Sequence, residues 1–316
     1  MAAPTIPPPH LVEACARFST HPPVPALEAL CQQLGARHGK ALRAVLYYGS
    51  CLRGGDPFDG LVDLYVVVDG YRQAGAGRGA ALLNRLLPPN VFYMETSLPE
   101  GVVRCKYALM ALDHLAACVG PRCFHSYFWA RLAQPMGLLH PRDPATAQAI
   151  HALQAGAVLT FTRRVLPLLP EVFTTADLWR QGLRLTYGAE LRVEGGGRAD
   201  EIFRRHEAYC QAVTPHALRA LGAEPVERGH WRNPASGGTR RRARMGWGVR
   251  TAQGKLLSVL RLLKAFFTFE GGLDYLAWKL ERHSGVPVEI TPRLRRWPLI
   301  FIWGLMWRLY RQGVFR

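Results

Sequence analysis

The chain has 316 residues, is 49% hydrophobic, and carries 40 Lys and Arg against 23 Asp and Glu, a formal net charge of +17. That length holds one large domain or two ordinary ones, and the apolar share is enough for a sizeable core, which excludes a disordered chain. The positive excess predicts an anionic partner: nucleic acid, anionic lipid or a phosphorylated substrate.

Seven cysteines are scattered without a Cys-x-x-Cys pair, which reads neither as a zinc site nor as a disulfide framework and points to a reducing compartment. The N-terminus, "MAAPTIPPPHLVEACARF", has no basic stretch followed by an apolar core and little early arginine, so neither a secretory signal nor a mitochondrial presequence is evident. No apolar run reaches the roughly 18–20 residues that span a bilayer.

In chain order, a Pro-rich lead over 1–10 is followed by helical spacing over 11–40. Val45–Tyr48 and Leu61–Val68 are short apolar runs bounded by turn formers and read as buried strands. Ala80–Leu87 reads as helix, Val91–Thr96 and Val102–Ala108 as two more strands. From about Leu109 to Ala220 apolar residues recur at three and four, the pattern of helices, with Thr175 as a candidate N-cap. Residues 222–254, rich in Gly and Arg, read as a mobile basic linker. The rest alternates amphipathic helix with a Trp-rich tail, "PRLRRWPLIFIWGLMWRLYRQGVFR".

The chemistry concentrates in "VLYYGSCLRGGDPFDGLVDLYVVVD". A Gly-Ser turn lets backbone N–H groups approach phosphate oxygens, and the Ser50 hydroxyl adds a donor. A carboxylate from the next strand, Asp63, can hold the Mg²⁺ that travels with a triphosphate. That is how nucleotidyltransferases hold a nucleoside triphosphate, although their usual second strand carries two acids one residue apart. Here Tyr65 takes the second position. Asp69 shares its face but lies about 20 Å away along a straight strand. Glu95 on the next strand is a candidate for the missing ligand or a solvated edge acid.

The segment "YYGSCLRGG…LVDLYVVVD" is similar to the Tyr-Gly-Ser loop and Leu-Asp-Phe strand of the mitochondrial-type phosphatidate cytidylyltransferases, the translocator assembly and maintenance family. Four further patches follow in order: "NVFYMETSLPEGVV", "RCKYALM", "SYFWARLAQP" and "LPEVFTTADLWRQGLRLTYGAELRV". The resemblance covers residues 45 to about 210 and fits a bacterial relative. It implies an α+β fold: a nucleotidyltransferase domain with a small mixed sheet over 1–120, then a helical, winged-helix-like domain over 121–221. The linker (222–254) and an amphipathic, membrane-associating segment (255–316) complete the expected organisation.

The resemblance implies the reaction of CTP with phosphatidate to give CDP-diacylglycerol and pyrophosphate, with Mg²⁺. By position, Gly49 and Ser50 would hold the triphosphate, Asp63 the metal, and Lys106 with Tyr107 the phosphates. Tyr187, Glu190 and Arg192 would complete the site from the helical part. The chain departs from the family where Ala189-Glu190 replaces Gly-Asp, where Ala108 follows Lys106-Tyr107, and in a short loop between Ser50 and Asp63. A lipid substrate places the protein peripherally on the cytoplasmic face of the inner membrane, or on the matrix side of the mitochondrial one. Two other readings stand beside it: transfer to a different phosphate-bearing acceptor, and a non-catalytic RNA-binding protein on the same fold. The tail's tryptophans sit among aliphatics rather than between basic residues, which speaks against nucleic acid.

Overall fold

The computed structural model describes residues 6–20, 23–49, 52, 55–191, 197–268 and 290–296. Ser50, Arg192 and the Trp-rich tail lie outside the described residues, apart from Pro292–Arg296 at the tail's start.

The architecture is α+β around a small mixed sheet. Helices α1 (Pro9–Arg17) and α2 (Pro25–His38) precede strands β1 (Leu42–Tyr48) and β2 (Val62–Val68). Helix α3 (Arg78–Leu86) leads to β3 (Asn90–Leu98) and β4 (Gly101–Ala111). The helices α4 (Leu112–Val119) and α5 (Tyr127–Leu132) then lead to an unforeseen strand, β5 (Gly137–Pro141). The sheet order is β3-β4-β2-β1-β5, with β2 and β4 parallel and the other neighbours antiparallel.

Strand alternation sorts the side chains onto two faces. Val45, Tyr47, Val62, Leu64, Val66, Cys105, Tyr107 and Leu109 pack with α2 in one cluster. Ala44, Leu46, Tyr65, Val67, Ala108 and Met110 pack against the helices that follow.

Those helices are α6 (Pro144–Val165), α7 (Thr175–Gly188), α8 (Arg198–Arg205) and α9 (Glu207–Ala220). A strand, β6 (Val172–Thr174), precedes α7, and β7 (Glu224–Pro225) and β8 (His230–Arg232) follow α9. They form a second sheet in the order β6-β8-β7. Helix, strand, three helices and a hairpin whose second strand sits in the middle is a winged-helix-like arrangement with one helix added. Thr174, one residue before the expected cap, opens α7: its side chain accepts from Asp177 N–H while Asp177 reaches back to the Thr174 backbone.

The expectation of a mobile linker over 222–254 is corrected. The stretch holds β7 and β8 and then the first half of a long helix, α10 (Gly237–Thr268). Arginine is a good helix former, and a few buried anchors outweigh the glycines. Trp247 is buried, meets Trp129 edge-on at 6.2 Å and donates from Nε1 to Arg164 O at 2.8 Å. Gly254 is where α10 crosses the end of α7: a Cβ there would lie 2.3 Å from Ala189 O.

Candidate active site

The site is built at the N-terminal end of β2. Asp63 is its second residue, and the parallel register with β4 sets it beside Lys106. Lys106 Nζ lies 3.1 Å from Asp63 Oδ1, with both side chains partly open to solvent. Across the other edge Asp63 pairs with Tyr48, the last residue of β1. Gly49 follows at φ +84°, a conformation L side chains rarely adopt. A Cβ at Gly49 would stand 2.8 Å from Asp63 Oδ2, so glycine is what lets this turn close over the carboxylate. Gly49, Asp63 and Lys106 are thus brought together as expected.

Tyr107 is not with them. Adjacent strand residues point to opposite faces, and Tyr107 is fully buried beneath the sheet, stacked on Phe92 and edge-on to His38. Glu95 is likewise corrected as a ligand: β4 separates its strand from β2. It lies opposite Arg104, whose Nε is 3.8 Å from it, and it accepts from Tyr93 Oη at 2.7 Å. Asp69 belongs to the other end of the sheet, where Arg43 and Arg142 both bind it.

The helical layer supplies the wall. Arg131 on α5 forms a two-pronged ion pair with Glu190, Nη1 to Oε1 at 2.6 Å and Nη2 to Oε2 at 2.7 Å. Both side chains are about 14% exposed or less. Burial works against the Arg131 charge, but Glu190 more than restores it and holds the guanidinium well above its ordinary value. The Glu190 carboxylate expected to bind nucleotide is therefore committed to an arginine. The Arg131 and Arg261 guanidiniums both stack on the Tyr127 ring, at 3.8 and 4.0 Å. Arg261 is anchored through Nε to Pro88 O at 2.7 Å, and burial lowers its pKa.

Tyr48 and Tyr65 join floor to wall. Their rings stack at 5.0 Å, and burial pushes both hydroxyls up, so both remain neutral phenols. Tyr65, Asp63, Tyr127 and Arg131 all act electrostatically on the Tyr48 hydroxyl. Tyr187 is half-buried on the helical cluster, and its carbonyl accepts from Glu190 N–H at 3.0 Å. Arg131 lies inside a quoted family patch, yet spacing alone assigned it no role. Arg261, far along the chain, reads in the sequence only as a cation on the amphipathic C-terminal helix.

Among the described residues no group of three His, Cys, Asp or Glu side chains could hold a metal ion. Asp63 is a single carboxylate whose near partner is an ammonium. This donor set does not fit a resident metal; Mg²⁺ would enter only as the counter-ion of a triphosphate. A cavity of about 710 Å³ lies elsewhere, between Asp69, Arg72, Arg78, Arg85 and His114 at the far end of β2. Its arginines are exposed, whereas the Asp63 end combines an acid, a cation and a glycine turn. The chemistry favours the latter.

No family model and no curated protein matches the chain. Among solved structures it is similar to a nucleotidyltransferase-like protein from Exiguobacterium sibiricum, at 11% identity over 90% of this chain and 91% of that one, with a TM-score of 0.27. A likeness that slight adds nothing to the geometry, and the functional reading rests on the residues themselves.

Proposed function

We propose that this protein is a nucleotidyltransferase that uses CTP, with phosphatidate as its acceptor. The observation that carries the reading is the Gly49 turn closed over Asp63, with Lys106 beside it on the parallel strand. In this reading Lys106 turns from Asp63 to the phosphates of the incoming nucleotide, where a compact ammonium offsets charge as pyrophosphate departs. Gly49 admits the phosphates close to the backbone, and Ser50 adds its hydroxyl. The acceptor phosphate oxygen attacks the α-phosphorus, a P–O bond to the acceptor forms, and the bond to pyrophosphate breaks. Catalysis of this kind depends mostly on positioning and electrostatics. Mg²⁺ supplies further charge neutralisation when it arrives with the triphosphate. The Arg131–Glu190 pair holds the wall in place, and Tyr187 and Arg192 belong to the same segment.

A lipid acceptor is supported by α10. Met245, Val249, Leu256, Val259, Leu260 and Leu263 recur at three, four and seven along it, and all are at least 40% exposed. The helix carries arginines and lysines and no acid. Apolar side chains flanked by cations suit an anionic bilayer surface. A second copy of the same helix would set like charges against each other. Among the described residues no helix is long and apolar enough to cross a membrane. In this reading the protein works peripherally, on the cytoplasmic face of the inner membrane.

The test is labelled CTP with phosphatidate in mixed micelles, with Mg²⁺ or EDTA, beside Asp63→Asn. The expected result is a CDP-lipid that disappears with EDTA and with the variant. Folded wild-type protein that forms no CDP-diacylglycerol overturns the acceptor. If it also binds no CTP, the nucleotide reading goes with it.

A further inference from the structure

The cavity of about 710 Å³ at the far end of β2 stands apart from the site described above. Asp63 and Asp69 lie about 20 Å apart along the strand, so the two places can be altered separately. One wall of the cavity is a single stripe of α3: Arg78, Ala81, Leu82 and Arg85 line it, at i, i+3, i+4 and i+7. The stripe puts an arginine at each end, about 10 Å apart along the helix axis, with apolar side chains between them. Arg72, on the turn after β2, is the further cation of the lining.

None of these arginines enters an ion pair among the described residues. The acids of the lining are engaged elsewhere. Asp69 is bound by Arg43 and Arg142, and Asp113, in the first turn of α4, accepts from the His114 backbone N–H at 2.7 Å. An excess of positive charge is left. Tyr71, which is buried, and His114, which is half-buried, line the cavity as well. Tyr71 Oη and His114 Nδ1 are 2.7 Å apart, a hydrogen bond that holds the imidazole and leaves Nε2 for a ligand. Arg85 acts electrostatically on both groups. Guanidiniums without a carboxylate partner, around a recess of small-molecule size, suit phosphate oxygens, which they bind two at a time.

We propose that this cavity is a second ligand site, which takes a small organic diphosphate with the size and charge of a nucleoside diphosphate. The arginines take the phosphates. Ala81, Leu82 and Tyr71 offer the apolar surface that a base or sugar covers. An inorganic anion would use the cations and leave that surface bare. None of these residues takes part in the transfer chemistry proposed above.

The test is isothermal titration calorimetry of ADP into the full chain carrying Lys106→Ala, which weakens the Asp63 end as a competing nucleotide site. ADP is expected to bind, and adding Arg78→Ala with Arg85→Ala should weaken it by about tenfold or more. Pyrophosphate should bind about tenfold more weakly than ADP. An ADP affinity unchanged by the arginine substitutions overturns the proposal, as does a folded Lys106→Ala chain that binds no ADP. Pyrophosphate held as tightly as ADP overturns the organic ligand. Arg78 and Arg85 are exposed, so their removal should leave the circular dichroism spectrum as it is. If a variant does not fold, the wild-type chain decides: ADP should shield Arg72, Arg78 and Arg85 together from phenylglyoxal, read by mass spectrometry, and no shielding overturns the site. Neither readout involves CTP or phosphatidate, so a failed transfer assay leaves this result standing.

Discussion

At Gly49 conformation and chemistry meet. Its φ of +84° costs an L residue roughly 1–2 kcal/mol. A methyl group would in addition press on Asp63 Oδ2. Gly49→Ala should therefore lower stability by about 1–3 kcal/mol in urea unfolding and reduce CTP binding further than that loss accounts for. Equal, small losses in both would mean that the turn is only structural. At Arg131 the expectation is larger: Arg131→Ala leaves the Glu190 carboxylate enclosed and uncompensated, at about 3–5 kcal/mol. The Arg131→Met, Glu190→Gln double variant should recover much of it, and a double-mutant cycle measures the coupling. Gly49 and Asp63 were legible in the sequence because a Gly-containing turn and a strand-borne acid are local features, whereas Lys106 followed only from the family resemblance. The misplacement of Tyr107 came from ignoring strand alternation, since neighbours at 106 and 107 cannot share a face. Arg131 was not legible as a site residue, because a helix-borne side chain reaches the sheet only through the tertiary fold.

Two elements carry the next set of expectations. The far end of the sheet is clamped where Asp69, just past β2, meets Arg43 on β1 and Arg142 beyond β5. Burial works to raise the Asp69 pKa, but hydrogen bonds from Arg142 and Arg43 hold it below the usual carboxylate value. A carboxylate depressed in the folded state adds stability above its unfolded pKa of about 3.9 and loses it as pH falls through the folded value. Urea midpoints measured from pH 5 downwards should thus fall less steeply for Asp69→Asn than for wild type; parallel curves would remove the clamp from the account. Helix α10 behaves differently on its two faces. Trp247→Ala empties a buried site and strands the Arg164 carbonyl, at about 3–5 kcal/mol. Leu256→Asp with Leu263→Asp touches only exposed positions and should leave the urea midpoint near wild type. The same pair should weaken binding to phosphatidylglycerol vesicles in a sedimentation assay, and vesicle binding unchanged by both would refute the bilayer surface. The sequence hid this helix because five glycines and a run of arginines imitate a linker; what overrides composition is Trp247 and the close crossing at Gly254, both tertiary.

For the molecule as a whole, the strands and the alternation of helix types could be read from periodicity, whereas β5 and the three-stranded sheet could not. Their strands are five residues or fewer and are defined by distant partners. The most consequential feature is the way the sheet is covered. Ala44, Leu46, Tyr65, Val67, Ala108 and Met110 belong to one hydrophobic cluster with Phe128, Trp129, Phe161, Trp179 and Trp247. The sheet's second face is therefore covered largely by side chains from residues beyond 120, with α1 and α4 adding the rest. A chain cut at residue 120 would strip most of the cover from that face. At about 25 cal/mol per Å² of apolar surface, losing cover over six such side chains forfeits several kcal/mol, as much as the whole stability of an ordinary domain. Residues 1–120 alone should accordingly be insoluble, or expanded with dye-binding apolar surface and no near-ultraviolet circular dichroism. The full chain, by contrast, should lose its sheet and helix signals at a common urea midpoint. A fragment that folds cooperatively by itself would show that the cluster is an interface between two independent domains. In that case the wall carrying Arg131 and Glu190 is free to move relative to the floor carrying Asp63 and Lys106, and nucleotide binding should then change the distance between them.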